Sequence, residues 1–137
     1  MLITVLIIIG TILFMGISLY TFLHFHPKGF FSLEIFYTLA VVYLTVLVSF
    51  AIMYFALSFH GVILLEGNSL KEVGVIESMA HSLYFSGVTL LTVGYGDITP
   101  VGFGRLLALA EALIGYILPA AFFLKVYQHH STGKKDG

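Results

Sequence analysis

Charged positions along this chain gather in short clusters, and the apolar runs between them differ in length in a way that decides what each becomes. Leu2 to Leu23 holds no charged side chain. At ~1.5 Å of rise per helical residue it reaches across a hydrocarbon core of ~30 Å, so it is the first predicted span. Ile35 to Phe59 is also uncharged and forms the second, its helix capped near Ser32, carrying Glu34 in its first turn and continuing towards Leu65. Ser78 to Leu91 makes about four helical turns of small, aromatic and aliphatic residues. That is too short to cross, which predicts a helix that enters the membrane and returns. Leu106 to Tyr127 is long enough to span again, although Glu111, Gly115 and Pro119 interrupt it.

The breaks are equally readable. In His24-Phe25-His26-Pro27-Lys28-Gly29, Pro27 ends any helix and Gly29 loosens the chain after it. Glu66 to Glu77 gathers Glu66, Lys71, Glu72 and Glu77, with Ser69-Leu70-Lys71-Glu72 as a possible capping box, and reads as an extramembrane turret. The predicted division is a first transmembrane helix over 1–25, a loop over 26–32, an outer helix over 33–65, a turret over 66–77, a re-entrant helix with a glycine-rich strip over 78–97, an inner helix over 98–128 and a tail over 129–137. The fold class is an all-α membrane protein with three spans. A cleaved signal peptide is not expected, because the first run is too long and lacks a basic start and a small-residue cleavage site.

Composition narrows the function. With 59% hydrophobic and only 9% charged residues and a mean hydropathy of +1.05, the chain belongs in a lipid bilayer as one domain. A formal net charge of −1 without a basic run excludes nucleic acid as a partner. Zero cysteines exclude disulfides, cysteine-based zinc sites and thiol catalysis. No nucleophile, base and orienting group fall together, so an enzyme is not expected. Lys28, Lys125, Lys134 and Lys135 lie on one side of a three-span arrangement, Lys71 and Arg105 on the other. The bias puts the 26–32 loop and C-terminus in the cytoplasm, and the turret and N-terminus outside.

The chemistry is concentrated in Thr92-Val93-Gly94-Tyr95-Gly96-Asp97, between two apolar runs. Glycine accepts positive φ without a Cβ clash, so Gly94 and Gly96 let successive peptide units turn until their carbonyls face one way. Such a strip of oxygens can replace the water shell of a bare cation, as carbonyl rings do in potassium-selective filters. The run Thr89-Leu90-Leu91-Thr92-Val93-Gly94-Tyr95-Gly96-Asp97, followed by Pro100, resembles the signature of the tetrameric pore-loop potassium channels. The resemblance covers about Tyr84 to Tyr127, extends loosely over the second span and leaves out the first. It is to small prokaryotic pores with two spans, here with an extra one. It implies potassium ions bound by the carbonyls of Thr92, Val93, Gly94 and Tyr95 and the Thr92 hydroxyl, with Gly96 completing the filter and no other cofactor. One chain carries one strip, so the implied assembly is a homotetramer in the plasma membrane. The end of the re-entrant helix, near Leu90 and Leu91, is expected to aim its carbonyls at the central cavity.

Departures from the family pattern point to further residues. Several relatives keep a carboxylate behind the filter to pair with the Asp of the signature; here that position is Val88, and Tyr84 is the candidate partner of Asp97, the alternative being an aromatic space-filler. Glu111 lies inside a span, where an ionised carboxylate is costly, so it is expected to face protein or water. It either hydrogen-bonds the re-entrant helix and couples gate to filter or serves as a structural acid. Gly115 aligns with the inner-helix hinge of relatives, and with Pro119 predicts a bend; close helix packing is the other reading of Gly115. Residues 115, 119, 123 and 127 share a helix face, which offers Phe123 or Tyr127 as a hydrophobic constriction. Thr99 occupies the place where an aromatic confers tight external tetraethylammonium block, so weak block is expected.

His24, His26, His129 and His130 lack metal-ligand spacing, and the first span has no arginine ladder of the kind that senses voltage. The residues after Tyr127 are too few for a ligand-binding domain, so gating is expected to be intrinsic. Two other readings stand beside a selective potassium channel: a weakly selective cation pore, and a non-conducting subunit of a potassium transport system.

Overall fold

A computed structural model describes residues 1–24, 33–61, 64–66 and 74–132 of the chain. Four helices, α1 (Leu2–His24), α2 (Leu33–Ser58), α3 (Val75–Leu90) and α4 (Gly104–Thr132), are joined by two short strands, β1 (Leu64–Glu66) and β2 (Ile98–Pro100). Among the described residues, three segments are long and apolar enough to cross a bilayer: Leu2–Phe22, Phe36–Ser58 and Gly104–Leu124. The 16-residue α3 is not. The cap at Ser32, the loop over 26–32 and the Ser69–Glu72 capping box lie outside the described residues.

α2 is the centre of the packing. Its buried positions Val42, Val46, Phe50, Met53 and Tyr54 recur three and four residues apart and so share one face, with Leu39, Tyr43, Leu47 and Leu57 at its margins. The opposite positions Val41, Leu44, Val48 and Ile52 are exposed and form the face left for lipid. α1 packs on α2 through a stripe of Ile8, Met15, Leu19 and Phe22, while Leu6, Leu13 and Ile17 look outward. Lipid tails are as apolar as leucine, so close packing and a few polar contacts, rather than water exclusion, hold these helices together. Polar atoms therefore carry weight here.

Four boundaries differ from the expected ones. The outer helix stops at Ser58, and residues expected to prolong it towards Leu65 form β1. β1 pairs antiparallel with β2, in the register Leu64 to Pro100, Leu65 to Thr99 and Glu66 to Ile98. A ladder this short, between segments 34 residues apart in sequence (Leu64 to Ile98), leaves no alternating pattern to read. The re-entrant helix begins at Val75 rather than Ser78, with Gly74 in extended conformation at its cap. The first residues assigned to the inner helix, 98–100, are strand, and the helix then runs through Pro119 to Thr132 into the segment read as tail.

Candidate functional site

α3 delivers the chain to the glycine strip and fixes its first turn. Past the last helical residue, the Val88 carbonyl accepts from the amides of both Val93 at 2.9 Å and Gly94 at 3.2 Å. Two amides drawn back to one oxygen turn the strip sharply out of the helix axis. Val88, read as the place where relatives keep a carboxylate, thus contributes its backbone oxygen.

From there the backbone alternates. Thr92, Gly94 and Gly96 have φ of 56°, 58° and 80°, whereas Val93 and Tyr95 between them stay outside the positive-φ region. Alternating handedness swings every second peptide plane over, which brings successive carbonyls to the same side. The glycines take this conformation without strain, but Thr92 is β-branched and does so at a cost of about 1–2 kcal/mol. The sequence offers no sign of that strain, because threonine ordinarily avoids such φ values. Val93 and Tyr95 are 49% and 72% exposed, so both side chains are uncovered in the single chain.

The outer end of the strip is tied down on two sides. The Tyr84 hydroxyl, from α3, donates to Asp97 Oδ2 at 2.7 Å. Asp97 Oδ1 accepts the Ile98 amide at 3.0 Å, and Ile98 is buried in the ribbon. The Tyr84 hydrogen bond, helped by the Ile98 amide, holds the Asp97 carboxyl below the usual carboxylate range.

Behind the strip, Glu111 of α4 is fully buried. Its Oε2 accepts from the Tyr54 hydroxyl at 2.8 Å, and its Oε1 is hydrogen-bonded to the Ser86 hydroxyl. Ser86 Oγ also lies 2.8 Å from the Leu47 carbonyl, so one acid joins α2, α3 and α4. Neither Tyr54 nor Ser86 stood out in the sequence. Both lie on buried helix stripes, where a lone hydroxyl among apolar residues is the only available signal.

At the inner end, Gly115 packs directly on the C-terminal end of α3. A Cβ built on it would sit 1.9 Å from the Leu90 carbonyl oxygen. This is the close-packing reading of Gly115; Leu90 is buried against α4, while Leu91 is exposed. Gly115, Pro119 and Phe123 line a cavity of about 400 Å³ together with Leu91 and Thr92, directly below the strip. Phe123 and Tyr127 are both exposed in the single chain.

Comparison with known proteins bears on this arrangement directly. Residues 41–129 match the model of a family described as Ion channel. That stretch holds the whole strip, its supporting helix and the inner helix. The chain belongs to the pore-loop potassium channel family. Among its relatives, Protein LctB of Bacillus caldotenax is 47% identical over 91 residues, covering 65% of this chain and 67% of that one. Two pore potassium channel c of Oryza sativa subsp. japonica is 34% identical over 83 residues, 50% of this chain and 18% of the other. Potassium voltage-gated channel subfamily KQT member 4 of Homo sapiens is 45% identical over 62 residues, 39% of this chain and 9% of that protein. The similarity to the larger channels of this family is thus confined to a pore-sized piece of each. No solved structure matches the chain.

Proposed function

We propose that this protein is a potassium-selective channel that conducts potassium passively through the Thr92–Gly96 strip at the axis of a homotetramer. The alternating backbone of Thr92 to Gly96 carries the reading, since it turns a run of peptide oxygens to one side. Extended, the strip reaches on the order of 15 Å, room for several binding sites in series, whose joint occupancy keeps an ion from being trapped. A single strip supplies one quarter of each carbonyl ring, and the uncovered Val93 and Tyr95 side chains are what neighbouring copies would bury. Such irregular backbone is tolerated at membrane depth only where protein or a water-filled path surrounds it. The lysine bias supports a plasma-membrane orientation with the C-terminus in the cytoplasm and the strip's Asp97 end outside.

Gating is intrinsic in this reading, by the inner helix or the filter, and Glu111 couples the two. A proton count specifies its form. Tyr54 donates to one carboxyl oxygen, and Ser86 has a single proton for two oxygen neighbours, Leu47 and Glu111. A neutral Glu111 donating to Ser86, which donates to Leu47, satisfies every group. Purified protein in liposomes under a potassium gradient tests the main reading. Potassium flux blocked by barium, with sodium excluded, is expected. Comparable sodium flux would favour a weakly selective pore, and an intact tetramer without flux a non-conducting subunit.

A further inference from the structure

Pro119 sits inside α4 and has no amide hydrogen. The carbonyl four residues earlier, that of Gly115, therefore loses the amide partner an α-helix would give it, and Gly115 is buried in the packing. One side chain reaches that oxygen. The Tyr43 hydroxyl, on α2, donates to the Gly115 carbonyl at 2.9 Å, across 72 residues of sequence. Tyrosine suits the task because its ring packs along the apolar face of α2 while its tip carries a donor. On its other side, Gly115 leans on the Leu90 carbonyl at the end of α3, where no Cβ fits. Gly115 is thus gripped between α3 and α2 at the turn where Pro119 weakens α4.

We propose that Tyr43 is a positioning residue of the inner helix: its hydroxyl supplies the donor that Pro119 lacks and so sets where α4 sits beneath the filter. Tyr43, Thr92, Gly115, Pro119 and Phe123 border the same cavity of about 400 Å³, so any shift of α4 at this point alters the space next to Thr92. The polar cluster of Glu111 with Tyr54 and Ser86 is occupied with its own hydrogen bonds. The gating part of this inference rests on the channel reading; the hydrogen bond itself does not.

A double-mutant cycle on the full chain tests it. Tyr43→Phe keeps the ring and removes the donor; Pro119→Ala restores an amide hydrogen that can satisfy Gly115 from within α4. In the wild-type background Tyr43→Phe is expected to change the ratio of open to closed time in single-channel records by about threefold to twentyfold, the range that interhelical hydrogen bonds in membranes support. It should also lower the temperature at which the purified assembly dissociates. In the Pro119→Ala background both effects should vanish, to within about twofold in the open-to-closed ratio. If Pro119→Ala does not assemble, Pro119→Ser restores the same amide. Equal effects of Tyr43→Phe in both backgrounds, or none in the wild type, would overturn the proposal. A wild type that carries no potassium but still gives a non-additive stability cycle defeats the channel reading and keeps the hydrogen bond. Wild-type flux with an additive cycle defeats the role of Tyr43 alone.

Discussion

Asp97 takes hydrogen bonds from two separate parts of the fold, a helix through Tyr84 and a ribbon through Ile98. Its carboxyl is held below the ordinary range by these donors, so the stabilisation is present above the ordinary carboxylate value and lost only as pH falls through the lowered one. Mild external acidification, to about pH 5, is therefore expected to leave wild-type conduction unchanged, since an ordinary Asp already titrates near about 3.9. Tyr84→Phe should speed filter inactivation at neutral pH and shift the acid sensitivity towards higher pH; macroscopic currents at stepped external pH read both. At Glu111 the neutral form predicts that Glu111→Gln assembles and conducts like the wild type, because the amide oxygen can accept from Tyr54 and one of its two N–H groups can donate to Ser86. Glu111→Leu instead strands the Tyr54 hydroxyl, at about 1–3 kcal/mol, while Ser86 keeps its bond to the Leu47 carbonyl, and should lower the thermal stability of the assembly. The need for a partner at Glu111 was legible, because a carboxyl inside a span demands one. Its identity was not, since Tyr54 lies 57 residues away and nothing local marks it.

Among the elements, α4 carries the most consequence. A Cβ at Gly115 would collide with backbone rather than with a flexible side chain, so nothing nearby can yield cheaply. Gly115→Ala is expected to force α4 off α3 and to weaken the assembly by about 1–3 kcal/mol, measurable as a smaller tetramer fraction on mild heating in detergent. The sequence left Gly115 as either hinge or packing residue, because the same small side chain serves both, and only the position of Leu90 separates them. The spans themselves were legible from hydropathy, which depends on length and charge alone. The ends of the helices were less so: α2 ends seven residues short of Leu65, since an apolar stretch suits the strand Leu64–Glu66 as well as another helical turn.

For the whole molecule, the proposed homotetramer makes a prediction at the outer mouth. Thr99 is exposed and lies on β2, two residues beyond Asp97. External tetraethylammonium should block weakly, and Thr99→Tyr should strengthen the block by about tenfold or more, as four rings facing a quaternary ammonium add cation–π attraction. Concentration-response curves from outside-out patches decide it, and micromolar block of the wild type would refute the alignment. What α1 adds is visible as packing: it covers one flank of α2 and presents a fresh apolar surface outward.

The antiparallel ribbon has a mechanical corollary. Glu66 lies opposite Ile98 in the ladder, and Ile98 is the neighbour of Asp97 at the outer end of the strip. If the proposed channel reading holds, a pull on β1 at Glu66 is expected to reach Asp97, and through it the end of the Thr92–Gly96 strip, by way of the ribbon rather than by way of the spanning helices.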